Sequence, residues 1–225
     1  MNAAANGVTV LGSSGDAGST DYMSDLNSLY PFPVVSWPSS DPLVTSIGGT
    51  QLFLNQAGAR LKADTVWADA YGAGGGGVST VFPRPDYQSG ISAPGTGRAV
   101  PDISMSAAVN GGIVVYYSFV NAGFHIFGGT SEASPLFSGI VALAAQRAGH
   151  GLGLLNPALY ALAGSSASGI VDVVHRNIQQ TFLDSSGNPV FVRGWRAKKG
   201  YDLASGLGTV DAAQFVPALA NAATS

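Results

Sequence analysis

The sequence predicts an α/β layered fold built on an open, mostly parallel sheet with helices on both faces, and three observations carry that prediction. Short apolar runs punctuated by glycine and proline recur along the whole chain, the pattern of strands delivered into turns. One longer segment, residues 132–148, carries Leu136, Phe137, Ile140, Val141, Leu143 and Ala144, which leaves it apolar on most sides and predicts a buried helix. Hydrophobic residues make up 46% of the 225, enough to fill a core between a sheet and such helices and to exclude a wholly disordered chain.

The elements follow in order. Residues 8–11 form a strand that runs into the tight turn Gly12-Ser13-Ser14-Gly15-Asp16-Ala17-Gly18. Residues 19–42, rich in Ser, Asp, Tyr and Pro, read as a loop. Strands are expected at 43–47, 51–54 and 65–67, separated by Gly48-Gly49 and by residues 55–63. A glycine tract, residues 72–77, leads through an extended segment at 78–82 into Pro83-Arg84-Pro85. Further strands fall at 102–105, 112–119 and 123–127, followed by the 132–148 helix, a short helix at 157–163, a polar loop at 175–200 and a terminal helix at 210–223. There is no internal repeat, and residues 1–225 read as one domain. Catalytic groups in open α/β sheets gather at the carboxyl ends of strands, where the turns before Ala17 and before residue 132 both fall.

Composition excludes several functions. Ten basic and 13 acidic residues give a net charge of -3, with three lysines and no basic cluster, so nothing neutralises a phosphate backbone and no nucleic-acid partner is expected. No apolar run approaches the roughly 18 residues of a membrane span. Zero cysteines exclude a disulfide framework, thiolate catalysis and cysteine-ligated zinc. Few basic groups also limit positive self-repulsion once carboxylates protonate, which suits an acidic medium. The first residues have neither a basic nor an apolar signal region; they read as a helix end entering a strand, as though an amino-terminal part of the domain lies upstream.

Two turns could carry chemistry. Gly128-Gly129-Thr130-Ser131 opens the long helix, where a serine hydroxyl meets the positive end of a helix dipole and developing oxyanion charge is favoured. The alternative is that Thr130 or Ser131 is only an N-cap. Asp16 sits in a glycine turn, where the plain alternative is an Asx-turn former.

Taken together the two turns resemble the sedolisin family of serine-carboxyl peptidases. The likeness rests on Ser13-Ser14-Gly15-Asp16-Ala17-Gly18 and Gly128-Gly129-Thr130-Ser131-Glu132-Ala133-Ser134-Pro135. Between and beyond them, in family order, stand the Ser36 to Thr50 stretch, Gly74 to Ser79 with Phe82-Pro83, Arg98-Ala99-Val100-Pro101-Asp102-Ile103, Gly153-Leu154-Leu155-Asn156-Pro157, and Gly200-Tyr201-Asp202 with Gly206-Leu207-Gly208. The resemblance spans essentially the whole chain, as the carboxyl-terminal two-thirds of a catalytic domain. It implies a subtilisin-like α/β fold, a secreted serine endopeptidase active at acidic pH on protein or peptide substrates, Ser131 as nucleophile and Asp16 as the oxyanion-hole acid. A protonated carboxyl can donate to the oxyanion, whereas a carboxylate repels it.

The base departs from the family pattern. Sedolisins are expected to use a glutamate oriented by an aspartate four residues later on a helix, lying well before the Asp16 turn. The single glutamate here, Glu132, adjoins the nucleophile and cannot reach back to its hydroxyl in helical geometry. An upstream segment or chain supplying the pair is therefore an expected partner, and a catalytically incomplete fragment is the competing reading. A subtilisin is the nearest rival family, but it would place an asparagine where Asp16 stands and a histidine as base, and His125, His150 and His175 lack a suitable setting.

The resemblance also implies a calcium site in the region 170–208, with the Asp172 and Asp202 side chains and the carbonyls of Val173, Lys198 and Gly200 as ligands; all-oxygen donors of this kind suit Ca2+. The family usually has a small residue at position 198. The alternative is a solvated loop with two unrelated aspartates. Gly72 to Gly77 also satisfies the dinucleotide Gly-x-Gly-x-x-Gly pattern, but no helix is expected after it; in the peptidase reading it is a flexible segment beside the substrate cleft.

Overall fold

The computed structural model describes residues 2–223. Three parallel strands form its centre: Leu11–Ser13 pairs with Thr45–Gln51, and Thr45–Gln51 pairs with Ile103–Ser106. Thr65–Val66 adds an antiparallel partner at the far end of the central strand, opposite Thr50 and Gln51. The long helix, Thr130–Ala148, packs across all three parallel strands, and the terminal helix, Ala212–Ala222, stacks on it. Phe137 and Phe215 meet there with ring centroids 5.8 Å apart. Both are fully buried with Ile47, Ile103, Leu155 and Leu219, each side chain contributing about 1.5–3 kcal/mol by leaving water. This is the α/β arrangement expected from the sequence.

Four local expectations are corrected. Gly48-Gly49 does not separate two strands; it lies inside one seven-residue strand, Thr45–Gln51, that is buried throughout. A Cβ on Gly48 would come within 2.4 Å of the Ser104 hydroxyl, and one on Gly49 within 2.8 Å of the Ala107 methyl. The glycines mark close packing of neighbours against the sheet, not a turn. The long helix begins two residues earlier than expected and is buried along one stripe only, Ala133, Phe137, Val141 and Ala144. Its other side, with Ser138, Gly139, Ala142 and Leu143, is exposed; small residues conceal that face because they carry little polarity to mark it.

The 175–200 segment, read as loop, contains a hairpin of Gln180–Leu183 with Pro189–Val192. Its turn is pinned by Asp184, which accepts from the N–H groups of Ser186 and Asn188. Finally, the glycine tract is tied to the Asp16 turn by backbone hydrogen bonds. Ala73 N–H donates to the Asp16 carbonyl at 3.0 Å and Gly75 N–H to the Gly15 carbonyl at 2.8 Å, so the tract braces the Asp16 turn from behind. Gly77–Pro83 follows it as a strand, consistent with setting the dinucleotide pattern aside.

A buried ion pair locks the sheet to its surroundings. Arg98 and Asp102 are both 0% exposed and bind in bidentate fashion, Nη1 to Oδ1 at 2.8 Å and Nη2 to Oδ2 at 2.5 Å. Asp102 also accepts the Ser46 N–H at 2.8 Å and the Tyr160 hydroxyl at 2.7 Å. Every strong acceptor position of the carboxylate is thus matched by a donor, which is what permits two charges to be buried.

Candidate active site

The parallel strands end where the two glycine turns meet. Ser14 N–H still bonds to the Ile47 carbonyl at 2.9 Å, and the chain then leaves the sheet through Gly15 and Asp16. On the other side Gly129 N–H donates to the Ala107 carbonyl, just past strand Ile103–Ser106, at 2.6 Å. Strand ends therefore deliver both turns to one edge.

Thr130 joins them. Its N–H and its hydroxyl both donate to Asp16 Oδ1, each at 2.7 Å. The Gly15 N–H donates to the Thr130 hydroxyl oxygen at 3.2 Å, and the Ser13 hydroxyl donates to the Thr130 carbonyl at 2.9 Å. Gly129 is the N-cap, at φ +88°, and makes no side-chain cap. A Cβ at this position would sit 2.6 Å from Asp16 Oδ2, so both its left-handed φ and the approach of the carboxyl require glycine. Neither Thr130 nor Ser131 is the cap; Thr130 is spent on Asp16. Ser131 and Asp16 are both exposed, and among the described residues no group hydrogen-bonds the Ser131 hydroxyl. The arrangement is an accessible hydroxyl at a helix start beside a carboxyl whose Oδ1 is doubly held as an acceptor.

Glu132 goes elsewhere. It is 2% exposed, with its carboxyl turned under the site toward the Ser106 hydroxyl and the Ile113 N–H. Burial pushes it up to about 7, offset in part by those two groups, neither of which closes a hydrogen bond of normal geometry. This agrees with its exclusion as a base for Ser131. The histidines are engaged away from the turn. His125 stacks on Tyr117 and its Nε2 pairs with the Asn121 carbonyl; His150 pairs with the Gly151 carbonyl; His175 is exposed.

A groove of about 670 Å³ lies beside the Asp16 turn, walled by Tyr22, Tyr30, Phe32, Trp37, Ser79 and Phe82. Asp21 and Ser36 also line it and are hydrogen-bonded to each other; Ser36 Oγ would be 2.7 Å from a Cβ on Gly15, which fixes the groove against the turn. The sequence reading missed Thr130 as the tie and Asp21 with Ser36 as the link to the groove. Thr130 was legible only as part of a motif, and nothing in the order of residues pairs positions 21 and 36.

The proposed calcium ligands converge on one loop. Asp202, buried, accepts from Lys198 N–H at 2.8 Å and from the N–H groups of Ala204 and Ser205 at 2.9 Å. Burial pushes its carboxyl up, against the pull of those hydrogen bonds. Asp172, exposed, accepts from Gly200 N–H at 2.9 Å, and the Val173 carbonyl accepts from the Ser205 hydroxyl at 3.3 Å. Lys198 and Lys199 are both exposed. The donor types suit a hard cation, but four peptide N–H groups, those of Lys198, Gly200, Ala204 and Ser205, face the two carboxylates.

No family model matches the chain. Individual relatives do. Kumamolisin of Bacillus sp. (strain MN-32) is 36% identical over 218 residues, covering 93% of this chain and 36% of the relative. Sedolisin of Pseudomonas sp. (strain 101) is 36% identical over 222 residues, 94% of this chain and 35% of the relative. Tripeptidyl-peptidase 1 of Mus musculus is 35% identical over 229 residues, 93% of this chain and 37% of the relative. A solved structure of Pseudomonas sedolisin, a serine-carboxyl proteinase complexed with two molecules of pseudo-iodotyrostatin, superposes with a TM-score of 0.77 at 33% identity, over 96% of this chain and 56% of that one. The chain thus spans little more than a third of the length of these curated relatives. Sequence and fold agree over nearly all of its residues: the chain belongs to the sedolisin family.

Proposed function

We propose that the chain carries the nucleophile and the oxyanion-hole acid of a secreted serine endopeptidase working at acidic pH. The observation that supports this best is the four-bond tie between the turns, which holds the Asp16 carboxyl beside Gly129 while the Ser131 hydroxyl stays open to solvent. In this reading Ser131 Oγ attacks a peptide carbonyl carbon, and the oxyanion that forms accepts a hydrogen bond from protonated Asp16 Oδ2. The amine leaves, and water hydrolyses the resulting acyl-enzyme. Holding Oδ1 with two donors pre-orients the acid, so no reorganisation is needed as charge develops. Because only the neutral acid donates, activity is present at low pH and lost as Asp16 ionises. The aromatic groove next to the turn seats bulky apolar substrate side chains. Taking the serine proton falls to a glutamate–aspartate pair, which these 225 residues do not contain, since Glu132 is the single glutamate and position 136 is a leucine.

In the same reading the loop at 198–202 binds calcium through Asp172, Asp202 and the carbonyls of Val173, Lys198 and Gly200, tying the segment before the terminal helix to the body of the domain.

The test is peptide hydrolysis between pH 3 and 8 by the full-length gene product. Ser131→Ala is expected to remove on the order of 10⁶ of kcat, the usual loss for a serine nucleophile. Full turnover by that variant ends the assignment.

A further inference from the structure

We propose that Glu132 is a positioning residue that, as a neutral acid, seats the base of an aromatic hairpin against the nucleophile turn, and that its ionisation loosens this seat. The proposal rests on Ser131 being the nucleophile. Glu132 follows Ser131 directly, yet the two side chains part: Ser131 is exposed and Glu132 is 2% exposed.

The surroundings of Glu132 are three segments in mutual contact. Strand Ile103–Ser106 ends at Ser106. The hairpin, Ile113–Tyr117 paired with Gly123–Phe127, begins at Ile113 and returns through Phe127 straight into Gly128-Gly129. A Cβ on Gly128 would lie 2.7 Å from a Val109 methyl and 2.8 Å from the Ala107 carbonyl oxygen, so strand end and hairpin exit leave no gap above the helix start. Glu132 is enclosed beneath that junction. A glutamate at the third position of a helix ordinarily reaches back to the N-cap N–H, but the Gly129 N–H is already given to the Ala107 carbonyl. The carboxyl therefore has only Ser106 Oγ and Ile113 N–H to address.

What stands on this seat is unusual for a surface element. From Ile103 to Ser131 there is no Asp, Glu, Lys or Arg, and the hairpin presents Val114, Tyr116, Phe124 and Ile126 on one exposed face, with Phe124 77% exposed. Val114 pairs with Ile126 and Tyr116 with Phe124 across the ribbon. Two strands alone are marginal in water, so the hairpin depends on how its base is held.

Among the described residues no charged group compensates Glu132. The parallel strands packed on the long helix carry no ionisable side chain, and neither does the terminal helix. The hairpin contributes Tyr116, Tyr117 and His125; His125 sits toward its tip, stacked on Tyr117. The other carboxyl at the helix start, Asp16, is committed to Thr130. The positive end of the helix favours the ionised form, and burial opposes it more strongly. A neutral carboxyl can accept from Ile113 and exchange a hydrogen bond with Ser106; an ionised one is a buried charge with two imperfect donors. The seat is closed in the acidic range where the peptidase is proposed to act and opens toward neutral pH, a second brake independent of Asp16. The rise from 4.5 to about 7 limits the change in the opening equilibrium to about 300-fold.

The experiment is hydrogen exchange of the hairpin amides from pH 5 to 9, corrected for intrinsic exchange, on the whole chain, with labelling of Ser131 by a serine-directed fluorophosphonate followed in the same samples. In the wild type, hairpin protection is expected to fall 10- to 300-fold with a midpoint near pH 7, and the labelling rate to change over the same range. E132Q, isosteric and permanently neutral, keeps the hairpin protected to pH 9 and removes that component from the labelling profile. E132A, which removes the carboxyl altogether, is likewise without a transition, and H125Q behaves as wild type. A wild-type hairpin with pH-independent protection, a transition that survives in E132Q, or one abolished by H125Q overturns the proposal. Labelling that does not follow an intact hairpin transition overturns the role of the seat in positioning Ser131, whereas labelling that persists unchanged in Ser131→Ala overturns the nucleophile reading.

Discussion

Removing the carboxylate of Asp102 tests how this small sheet is held in place. Asp102→Ala leaves the Arg98 guanidinium fully buried without its counter-charge and strands two further donors, the Ser46 N–H and the Tyr160 hydroxyl. Breaking a buried pair from one side costs about 3–5 kcal/mol, and each orphaned neutral donor about 1–3 kcal/mol. These losses share one cavity and do not add fully, so the expected cost is about 4–6 kcal/mol, close to the whole stability of a marginal domain. Replacing both partners by apolar residues, Arg98→Met with Asp102→Leu, removes the uncompensated charge and should recover most of the loss, since such replacements are often neutral or stabilising. The assay is urea unfolding at pH 5 followed by tryptophan fluorescence, for which Trp67 at 1% exposure is a core reporter. The double variant separates electrostatics from packing. A cost below about 1 kcal/mol for Asp102→Ala, the value of a surface pair, would show that the site is wet and refute the reasoning.

Three other outcomes follow from the same geometry. Asp16→Asn keeps an N–H donor but loses the titrating proton, so kcat should fall, by less than the 10²- to 10³-fold of a deleted oxyanion donor, while the high-pH decline assigned to Asp16 weakens; an unchanged pH profile and rate return Asp16 to a turn former. Glu132, raised to about 7 in the folded state, binds more protons there than in the unfolded chain, so its contribution is present below pH 4.5 and is lost as pH rises through about 7, by at most about 3 kcal/mol. Urea midpoints compared at pH 5 and pH 8 should show that loss in the wild type and its disappearance in Glu132→Gln. Calcium at a hundredfold above its dissociation constant should add about 2.7 kcal/mol, raising Tm by roughly 5 to 10 °C. Asp172→Ala or Asp202→Ala should abolish most of that gain and Lys198→Ala little of it; identical midpoints with calcium and chelator remove the site.

Sequence alone determined the type of fold and singled out the two turns, because these depend on local rules. Glycine punctuation marks where strands end, a long apolar run marks a helix against a sheet, and a serine and an aspartate in glycine turns limit what the turns can do. It also identified the hairpin strand Gly123–Phe127 to the residue, since alternation there is not interrupted by small side chains. Tertiary structure decided everything that joins positions distant along the chain. Thr130 reaches Asp16 across 114 positions, the glycine tract braces the turn through backbone bonds, and Gly48 and Gly49 serve packing where their local signal reads as a turn. The direction of Glu132 was undetermined in the same way: helical spacing places it near Ser131, but only the Gly129 N–H bond to Ala107 and the closing of the hairpin over it decide that its carboxyl is buried. Local sequence specifies which conformations a segment can adopt; the bonds that exclude water from a group form only when segments meet, and they set its chemistry.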